Sequence, residues 1–267
     1  MEDPQHDGAL PDPSTLFRID GAVAVVTGAG SGIGRMAARV LAQAGGVAIA
    51  TDRDGDAASE TADLIARDGC SGAAYAMDVT EEASVVDVFA RIETDHGRVG
   101  VLVNNAGIID KAPTETLTLA QWQRVIDVNL TGVFLCAREA GRQMLADGQG
   151  SIINISSIWG HVGGPYSANL SYHTSKGAVV NLTRALAVEW GPRGVRVNDI
   201  APTFLKTALT ESLFADEALH SELAQTTPLR RTGAPADLAG AILYLASPAS
   251  ALVTGLSLKV DGGWTAQ

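Results

Sequence analysis

Tyr172 and Lys176 lie four residues apart in the segment 171–176, so a helix would place their phenol and ammonium groups on one face. A free tyrosine has a pKa of about 10, and a nearby cation lowers that pKa by about 1 to 3 units. A tyrosine shifted in this way can exchange protons with an alcohol. Because this spacing is common on surface helices, the interpretation depends on the other motifs of the chain.

A glycine-rich segment, 27–34, follows the first apolar run and leads directly into a helical pattern. Glycines let backbone N–H groups approach a pyrophosphate, and a helix N-terminus favours its negative charge. A tight strand-to-helix turn that binds no ligand could have the same glycine spacing. The next run ends at Asp52, where a carboxylate can accept hydrogen bonds from an adenosine ribose. That carboxylate repels a 2′-phosphate, and Ser31 rather than a basic residue precedes Gly32, so NAD is favoured over NADP. Arg53 is the one residue here that favours NADP, because its side chain could lie beneath a 2′-phosphate.

The elements that must position these residues follow from an alternation of short apolar runs and longer amphipathic stretches. This alternation is typical of a parallel sheet with helices on both faces, so we predict one doubly wound Rossmann-type α/β domain with a seven-stranded parallel sheet over residues 17–267. The segment 202–227 lacks clear periodicity, and such long connections are usually functional lids. We expect strands at 22–27, 47–51, 73–77, 99–103, 151–156, 195–200 and 256–260, and helices near 33–44, 56–68, 84–95, 119–146, 174–191 and 235–246.

Composition narrows the class of partner. The 267 residues carry a formal net charge of −11, which disfavours nucleic acid or an acidic membrane surface as a partner. No apolar run reaches the roughly 20 residues that a membrane span needs. Cys70 and Cys136 lack metal-ligand spacing, so we expect no metal and two reduced thiols, as in a cytoplasmic protein. The acidic, proline-rich start does not resemble a signal peptide, and residues 1–16 are predicted to be a disordered tail.

Further motifs occur in a fixed order along the chain. Asp78-Val79 follows the third predicted strand, and the segment 104–107, Asn-Asn-Ala-Gly, follows the fourth. Asn129 lies in Asp-Val-Asn-Leu, and Ser157 ends the run Ile-Asn-Ile-Ser-Ser. With the glycine segment, Tyr-x-x-x-Lys and the ending Val-Asp-Gly-Gly, these motifs resemble the short-chain dehydrogenase/reductase family from about residue 17 to residue 263.

The resemblance implies hydride transfer between an alcohol and NAD. Tyr172 would be the general acid/base, and Lys176 would lower its pKa and bind the nicotinamide ribose. Ser157 would hold the substrate oxygen, and Asn129 would anchor a water that links Lys176 to solvent. Ser156 could be the active serine instead, and Asn129 could merely satisfy a helix distortion. The cofactor contacts implied by these motifs are Gly28, Gly30, Ser31, Gly32, Ile33, Gly34, Asp52, Arg53, Asp78, Val79, Asn105, Ala106, Gly107, Tyr172, Lys176, Pro202, Thr203 and Thr207.

Two departures from the usual family pattern concern the substrate side. The interval from Ser157 to Tyr172 is two residues longer than in most members, which resembles members that act on polyols and sugars. Its turn-rich part, 160–169, is expected to line the substrate pocket. Pro202-Thr203 stands where the family usually has Pro-Gly, and a β-branched threonine does not reach positive φ cheaply, so the backbone beside the nicotinamide is expected to differ.

Three aromatic side chains near the serine are further candidates. Trp159 could form an apolar wall of the pocket, and His161 could bind a hydroxylated substrate. The simpler interpretation is that His161 caps a turn. His173, one position past Tyr172, is expected to point elsewhere.

The leading functional prediction is an NAD-dependent oxidoreductase that interconverts a secondary alcohol, such as a polyol, a sugar or a similar small hydroxy compound, and its ketone. A 3-oxoacyl reductase would dock an acidic carrier, and the stretch 144–150 offers no Lys or Arg for it. A non-catalytic NAD(H) sensor would be free to lose Tyr172 or Lys176, and this chain keeps both, which disfavours a sensor. The helices at 129–146 and 174–191 carry more small and apolar residues than one buried face needs, which predicts a homotetramer.

Overall fold

The computed structural model describes residues 11–164 and 168–267. Its seven strands are all parallel and form one sheet in the order β3-β2-β1-β4-β5-β6-β7, which confirms the predicted fold class. Residues 1–10 of the expected tail lie outside the described residues, and its disorder stays a prediction. The strands are β1 (Val23–Thr27), β2 (Val47–Asp52), β3 (Gly72–Ala76), β4 (Val99–Asn104), β5 (Gly150–Ile155), β6 (Val195–Pro202) and β7 (Ser257–Val260).

Helices cover both faces of this sheet. Successive strand residues point to opposite faces, so Val26 packs in one core with Leu41 and Leu245, whereas Val25 packs in the other with Phe89. None of the helices in the described residues is long and apolar enough to cross a membrane. The helices are α1 (Gly32–Gln43), α2 (Gly55–Arg67), α3 (Glu82–His96), α4 (Leu119–Ile126), α5 (Gly132–Asp147), α6 (Leu170–Trp190), α7 (Glu211–Phe214), α8 (Glu217–Thr226) and α9 (Ala239–Ala246).

The predicted continuous helix at 119–146 is wrong in one respect. A π-helical segment, Asp127–Thr131, separates α4 from α5. Its buried Asn129 binds the backbone of Ile108 twice, accepting from the N–H at 2.8 Å and donating to the carbonyl at 2.9 Å. A side chain held by a neighbouring segment stabilises the extra residue of a π-bulge, and helical periodicity alone does not reveal it.

Two other predicted boundaries change near the site. Helix α6 begins at Leu170, one turn before the predicted start, so Tyr172 lies in its first turn. The segment 202–227 is not irregular throughout, because it contains the short helices α7 and α8. Asp216 caps α8 by accepting a hydrogen bond from Leu219 N at 3.0 Å. Helices this short span too few turns to produce a clear 3.6-residue period.

Candidate active site

A cleft of about 260 Å³ lies at the carboxyl ends of the strands, between β1 and β4, where the strand order reverses. Open α/β sheets bind their ligands at this point. Ser31 begins α1 without a side-chain hydrogen bond to the first turn, so the N–H groups of that turn remain available to a phosphate. The predicted cofactor residues that line this cleft are Gly28, Ser31, Gly32, Ile33, Asp52, Arg53, Asp78, Val79, Asn105, Ala106, Gly107 and Thr207.

Glycine is required where the cofactor loop crosses its neighbours. A Cβ at Gly30 would lie 2.8 Å from Asp52 Oδ2, and that oxygen accepts a hydrogen bond from Gly30 N at 2.9 Å. A Cβ at Gly34 would lie 2.1 Å from the carbonyl oxygen of Gly28. Asn105 Nδ2 donates to that same carbonyl at 3.0 Å, which joins the loop to the end of β4. These residues therefore shape an open cradle that fits a dinucleotide.

A smaller pocket of about 100 Å³ continues from this cleft, with Gly107 and Thr207 lining both. Ser157, Tyr172 and Lys176 converge in it, and Pro202 and Thr203 complete its wall. The side chains of Ser157 and Tyr172 are hydrogen-bonded. Lys176 Nζ donates to the carbonyl of Ile155 at 2.7 Å and lies 5.6 Å from the centroid of the Tyr172 ring.

Burial dominates the electrostatics of this pocket. It raises the pKa of Tyr172, and the hydrogen bond from Ser157 opposes the rise. Burial also lowers the pKa of Lys176 to about 8, against the attraction of Asp199. The predicted lowering of the pKa of Tyr172 is therefore absent from this structure, because desolvation penalises the charged form of both partners.

The structure distinguishes the two candidate serines. Ser156 Oγ donates to the carboxylate of Asp199, whereas Ser157 is the serine bonded to Tyr172. Asp199 is only 1% exposed and also accepts a hydrogen bond from Ser257 Oγ at 2.7 Å. His161 Nε2 lies 2.8 Å from that same Ser257 Oγ. His161 thus belongs to a polar network behind the serine, which favours the simpler of its two interpretations, a structural role, over a contact with substrate.

Asn129 lies beside the lysine, as the family resemblance implies. Its Nδ2 donates to Ser175 Oγ at 3.2 Å. A Cβ at Gly107 would lie 3.5 Å from Asn129 Oδ1 and 3.6 Å from Lys176 Nζ, so these two polar groups flank the same glycine. The π-helical segment therefore brings Asn129 close to the pocket that contains Tyr172 and Lys176.

A second pocket, of about 70 Å³, lies on the other side of Ser157 and Tyr172. Trp159 lines it, and its contact with substrate stays a prediction. His173 lines it too, with its ring centroid 5.0 Å from that of Trp159, so the expectation that it points elsewhere is wrong. The early start of α6 explains the difference, because it places His173 in the first turn opposite the loop that carries Trp159. Residues without any motif complete the lining, namely Ile109, Lys111, Ile158, Asn169, Thr203, Phe204, Leu209, Thr210 and Leu213.

Thr203 does not adopt the glycine-like backbone that the family pattern suggests. Among the described non-glycine residues, only Arg230 has positive φ, at 55°. Thr203 N instead donates to Val260 O at 3.4 Å, which continues the contact between β6 and β7. Its hydroxyl is buried and has no hydrogen-bond partner.

In the part of the chain that the structure describes, no group of three His, Cys, Asp or Glu side chains could hold a metal ion.

Known proteins resemble this chain over nearly its whole length. The family described as enoyl-(acyl carrier protein) reductase matches residues 28–265. A cis-4-hydroxycyclohexanecarboxylate dehydrogenase of Sinomonas cyclohexanicum is 44% identical over 249 residues, 91% of this chain and 96% of that protein. A galactitol 2-dehydrogenase (L-tagatose-forming) of Cereibacter sphaeroides is 41% identical over 254 residues, 95% of this chain and 99% of that protein.

Solved structures match the fold of this chain over nearly its whole length. A gluconate 5-dehydrogenase from Burkholderia cenocepacia, in complex with NADP and tartrate, superposes with a TM-score of 0.91 at 38% identity. The match covers 95% of this chain and 98% of that one. The chain belongs to the short-chain dehydrogenase/reductase family, and it is a nicotinamide-dependent oxidoreductase that acts on CH–OH groups.

Proposed function

We propose that this protein is an NAD-dependent dehydrogenase that interconverts a small secondary alcohol, such as a polyol, a sugar or a related hydroxy compound, and its ketone. The observation that carries the proposal is the convergence of Ser157, Tyr172 and Lys176 at the inner end of the nucleotide cleft. The relatives act, by their names, on a hexitol, a sugar acid and an alicyclic hydroxy acid, all of which carry secondary hydroxyl groups.

Each residue of this group has a distinct role in the proposed reaction. Tyr172 exchanges a proton with the substrate oxygen, which Ser157 also holds. Lys176 places a positive charge beside the phenolate and binds the nicotinamide ribose. The backbone of Asn129, in the π-helical segment, anchors a water that links Lys176 to solvent. Bound NAD supplies the hydride acceptor.

The preference for NAD is supported by Asp52. Its carboxylate lines the cleft at the end of β2 and would repel a 2′-phosphate while accepting bonds from a ribose diol. Arg53 lines the cleft as well, and the relative from Burkholderia cenocepacia binds NADP. We expect kcat/KM to favour NAD by at least about tenfold, which is about 1.4 kcal/mol of differential binding. Asp52→Ala should shrink that ratio, and equal use of both cofactors by the wild type would contradict the assignment.

The function is tested by following NADH absorbance with a panel of secondary alcohols and their ketones in both directions. Tyr172→Phe is the matched control, because it keeps the ring. Turnover by the wild type and its loss in Tyr172→Phe are the expected results. Tight NADH binding without turnover of any alcohol would instead indicate a non-catalytic sensor.

The alternative of a 3-oxoacyl reductase needs a different argument from the one that the sequence suggested. The stretch 144–150 ends at the first residue of β5, whereas Ser157 follows the last one, so its lack of basic residues concerns the opposite end of the strand from the pocket. That absence therefore says nothing about carrier docking near the site. A 3-oxoacyl thioester in the same panel separates the two activities, and faster turnover of the thioester than of every free ketone would favour the reductase.

We also propose that the chain assembles as a homotetramer, and the support is apolar exposure on α5 and α6. Phe134 on α5 is 46% exposed, and Val188 on α6 is 79% exposed.

A cytoplasmic location is supported by the two free cysteines, Cys70 and Cys136. The proposal that residues 1–16 form a disordered tail is supported by their composition alone.

A further inference from the structure

Aromatic and aliphatic side chains form much of the wall of the pocket beyond Ser157 and Tyr172. Trp159 meets Phe204 edge to face, with ring centroids 5.8 Å apart, and Trp264 packs against the same tryptophan at 5.1 Å. Helix α7 contributes Leu213 to this wall. Ile109, Ile158 and Leu209 supply the remaining apolar surface of a space of only about 70 Å³.

Polar partners for a substrate are scarce in this pocket once Ser157 and Tyr172 hold the reacting oxygen. His173 Nδ1 lies 3.1 Å from the carbonyl of Asn169, and Thr210 Oγ1 is bonded to Thr207 and to the carbonyl of Leu205. Two lining atoms, Asn169 Oδ1 and Thr203 Oγ1, are buried without a partner. An acyclic polyol would bring more hydroxyl groups than these atoms can satisfy, and each unpaired buried hydroxyl is costly.

The charged side chain that lines this pocket, Lys111, is positive. Lys111 is exposed and contributes an ammonium, and none of the described residues that line the pocket is an aspartate or glutamate. The neighbouring carboxylate, Asp110, forms an ion pair with Arg124 instead. An ammonium has three donors, so Lys111 can bind an anion and keep another contact at the same time. On a chain with a net charge of −11, such a local cation is what an anionic substrate needs.

We propose that the substrate of this site is a compact hydroxy acid with an apolar, ring-like body, whose carboxylate is bound by Lys111 while its hydroxyl group faces Ser157 and Tyr172. The apolar body packs between Trp159 and Leu213. This inference rests on the proposed dehydrogenase function and narrows its substrate class from hydroxy compounds in general to alicyclic hydroxy acids, with acyclic polyols disfavoured.

The first experiment compares 4-hydroxycyclohexanecarboxylate with its carboxamide, which has the same shape and no charge, and with galactitol and gluconate. We expect the cyclic acid to exceed the cyclic amide in kcat/KM by about fivefold, the size of one exposed charge pair. It should exceed both acyclic compounds by at least about tenfold, because buried hydroxyl groups would go unpaired. Galactitol turned over as efficiently as the cyclic acid would overturn the proposal.

Lys111→Met tests the carboxylate contact directly. Its KM for the cyclic acid should rise about fivefold with kcat unchanged, and its KM for the amide should stay constant. Lys206→Met is the matched control, because Lys206 is exposed and does not line the pocket. Lys111→Arg should retain the preference for the acid. Equal losses for acid and amide in Lys111→Met would assign a structural role to Lys111 and contradict the proposal.

A binding measurement separates this inference from the dehydrogenase function. Cyclohexanecarboxylate lacks the reacting hydroxyl, so its binding to the NADH complex, followed by the shift in Tm, needs no turnover. We expect a larger shift than with cyclohexanecarboxamide, and expect added salt and Lys111→Met each to reduce the difference. Binding without any alcohol turnover would overturn only the dehydrogenase function. Turnover of neutral alcohols with no effect of Lys111 would overturn only the inference.

Discussion

Lys176 and Tyr172 bring two ionisable groups into the pocket that continues from the nucleotide cleft. Lys176 is 3% exposed, and its ammonium has the carbonyl of Ile155 as an acceptor. Burying these groups penalises their charged forms, as the lowered pKa of the lysine and the raised pKa of the tyrosine show. Opposite shifts of two such groups, in a cleft and beside a hydrogen-bonded serine, are typical of sites that transfer protons.

Replacing Tyr172 with phenylalanine should reduce rate rather than cofactor binding. The ring is kept, but the group that exchanges a proton with the substrate hydroxyl is lost, a change that typically costs about 10²- to 10⁴-fold in rate. Cofactor affinity, measured by NADH fluorescence, should stay within a few-fold, because most lining of the nucleotide cleft comes from other residues. A variant that kept more than about a tenth of the wild-type kcat would exclude Tyr172 as the proton-transfer group.

The pH dependence should differ in sign between the two directions. Oxidation should accelerate as pH rises, because the phenolate of Tyr172 accepts the proton, and ketone reduction should accelerate as pH falls, because the phenol donates it. Below its pKa of about 8 the Lys176 side chain is an ammonium, and in that range its charge favours the phenolate over the phenol. Lys176→Met should move the rise in kcat/KM for oxidation to higher pH by about 1 unit. A profile superimposable on that of the wild type would contradict this role.

At the scale of elements, two local departures from regular structure place the site. The π-helical segment Asp127–Thr131 brings Asn129 to the lysine, and the early start of α6 brings His173 to the pocket that Trp159 lines. Both departures are held by contacts with other segments, Ile108 in the first case and the Trp159 ring in the second. The site therefore depends on how these helices are anchored as well as on their motifs.

Arg196 anchors the C-terminal end of α9 to β6. Its guanidinium donates to the carbonyls of Leu245 at 2.9 Å and Ser247 at 3.4 Å and to Ser250 Oγ at 2.7 Å. Burial lowers the pKa of this guanidinium, so removing its hydrogen-bonding groups leaves a buried site without the donors that join these two segments. Arg196→Met should lower the free energy of unfolding, measured in urea, by about 2 to 4 kcal/mol.

The control for this change is Arg193→Met, since Arg193 is exposed at the turn before β6. It should alter the free energy of unfolding by less than about 0.5 kcal/mol. Equal effects of the two substitutions would show that the loss reflects charge alone and not the anchoring of α9.

At the scale of the whole molecule, the exposed apolar side chains on α5 and α6 predict association. Light scattering should give a mass four times the 27.6 kDa of one chain. Val188→Glu should lower that mass, because it places a charge where an apolar surface is buried between subunits. Val86→Glu, on α3, is the matched control and should leave the mass unchanged. A wild-type mass of one chain would refute the tetramer.

Much of the fold was predictable from the sequence because its signals are local. Apolar runs and amphipathic stretches placed all seven strands to within two residues, and the strand-to-helix turn at 27–34 carried its own glycine signature. The pairing of Tyr172 and Lys176 needs only the geometry of one helix. The sequence could also choose Ser157 over Ser156 by spacing, and the hydrogen bonds of the two serines agree.

Tertiary structure alone decided what depends on residues far apart in the chain. His161 lies against Ser257 because β7 lies beside its loop, and the pocket beyond Ser157 and Tyr172 includes Lys111 and Phe204, which the sequence motifs did not mark. The pKa directions of Tyr172 and Lys176 also depend on burial, which only packing determines. Local spacing thus determined which groups this protein carries for its chemistry, and long-range contacts determined which of them meet and how strongly each holds its proton.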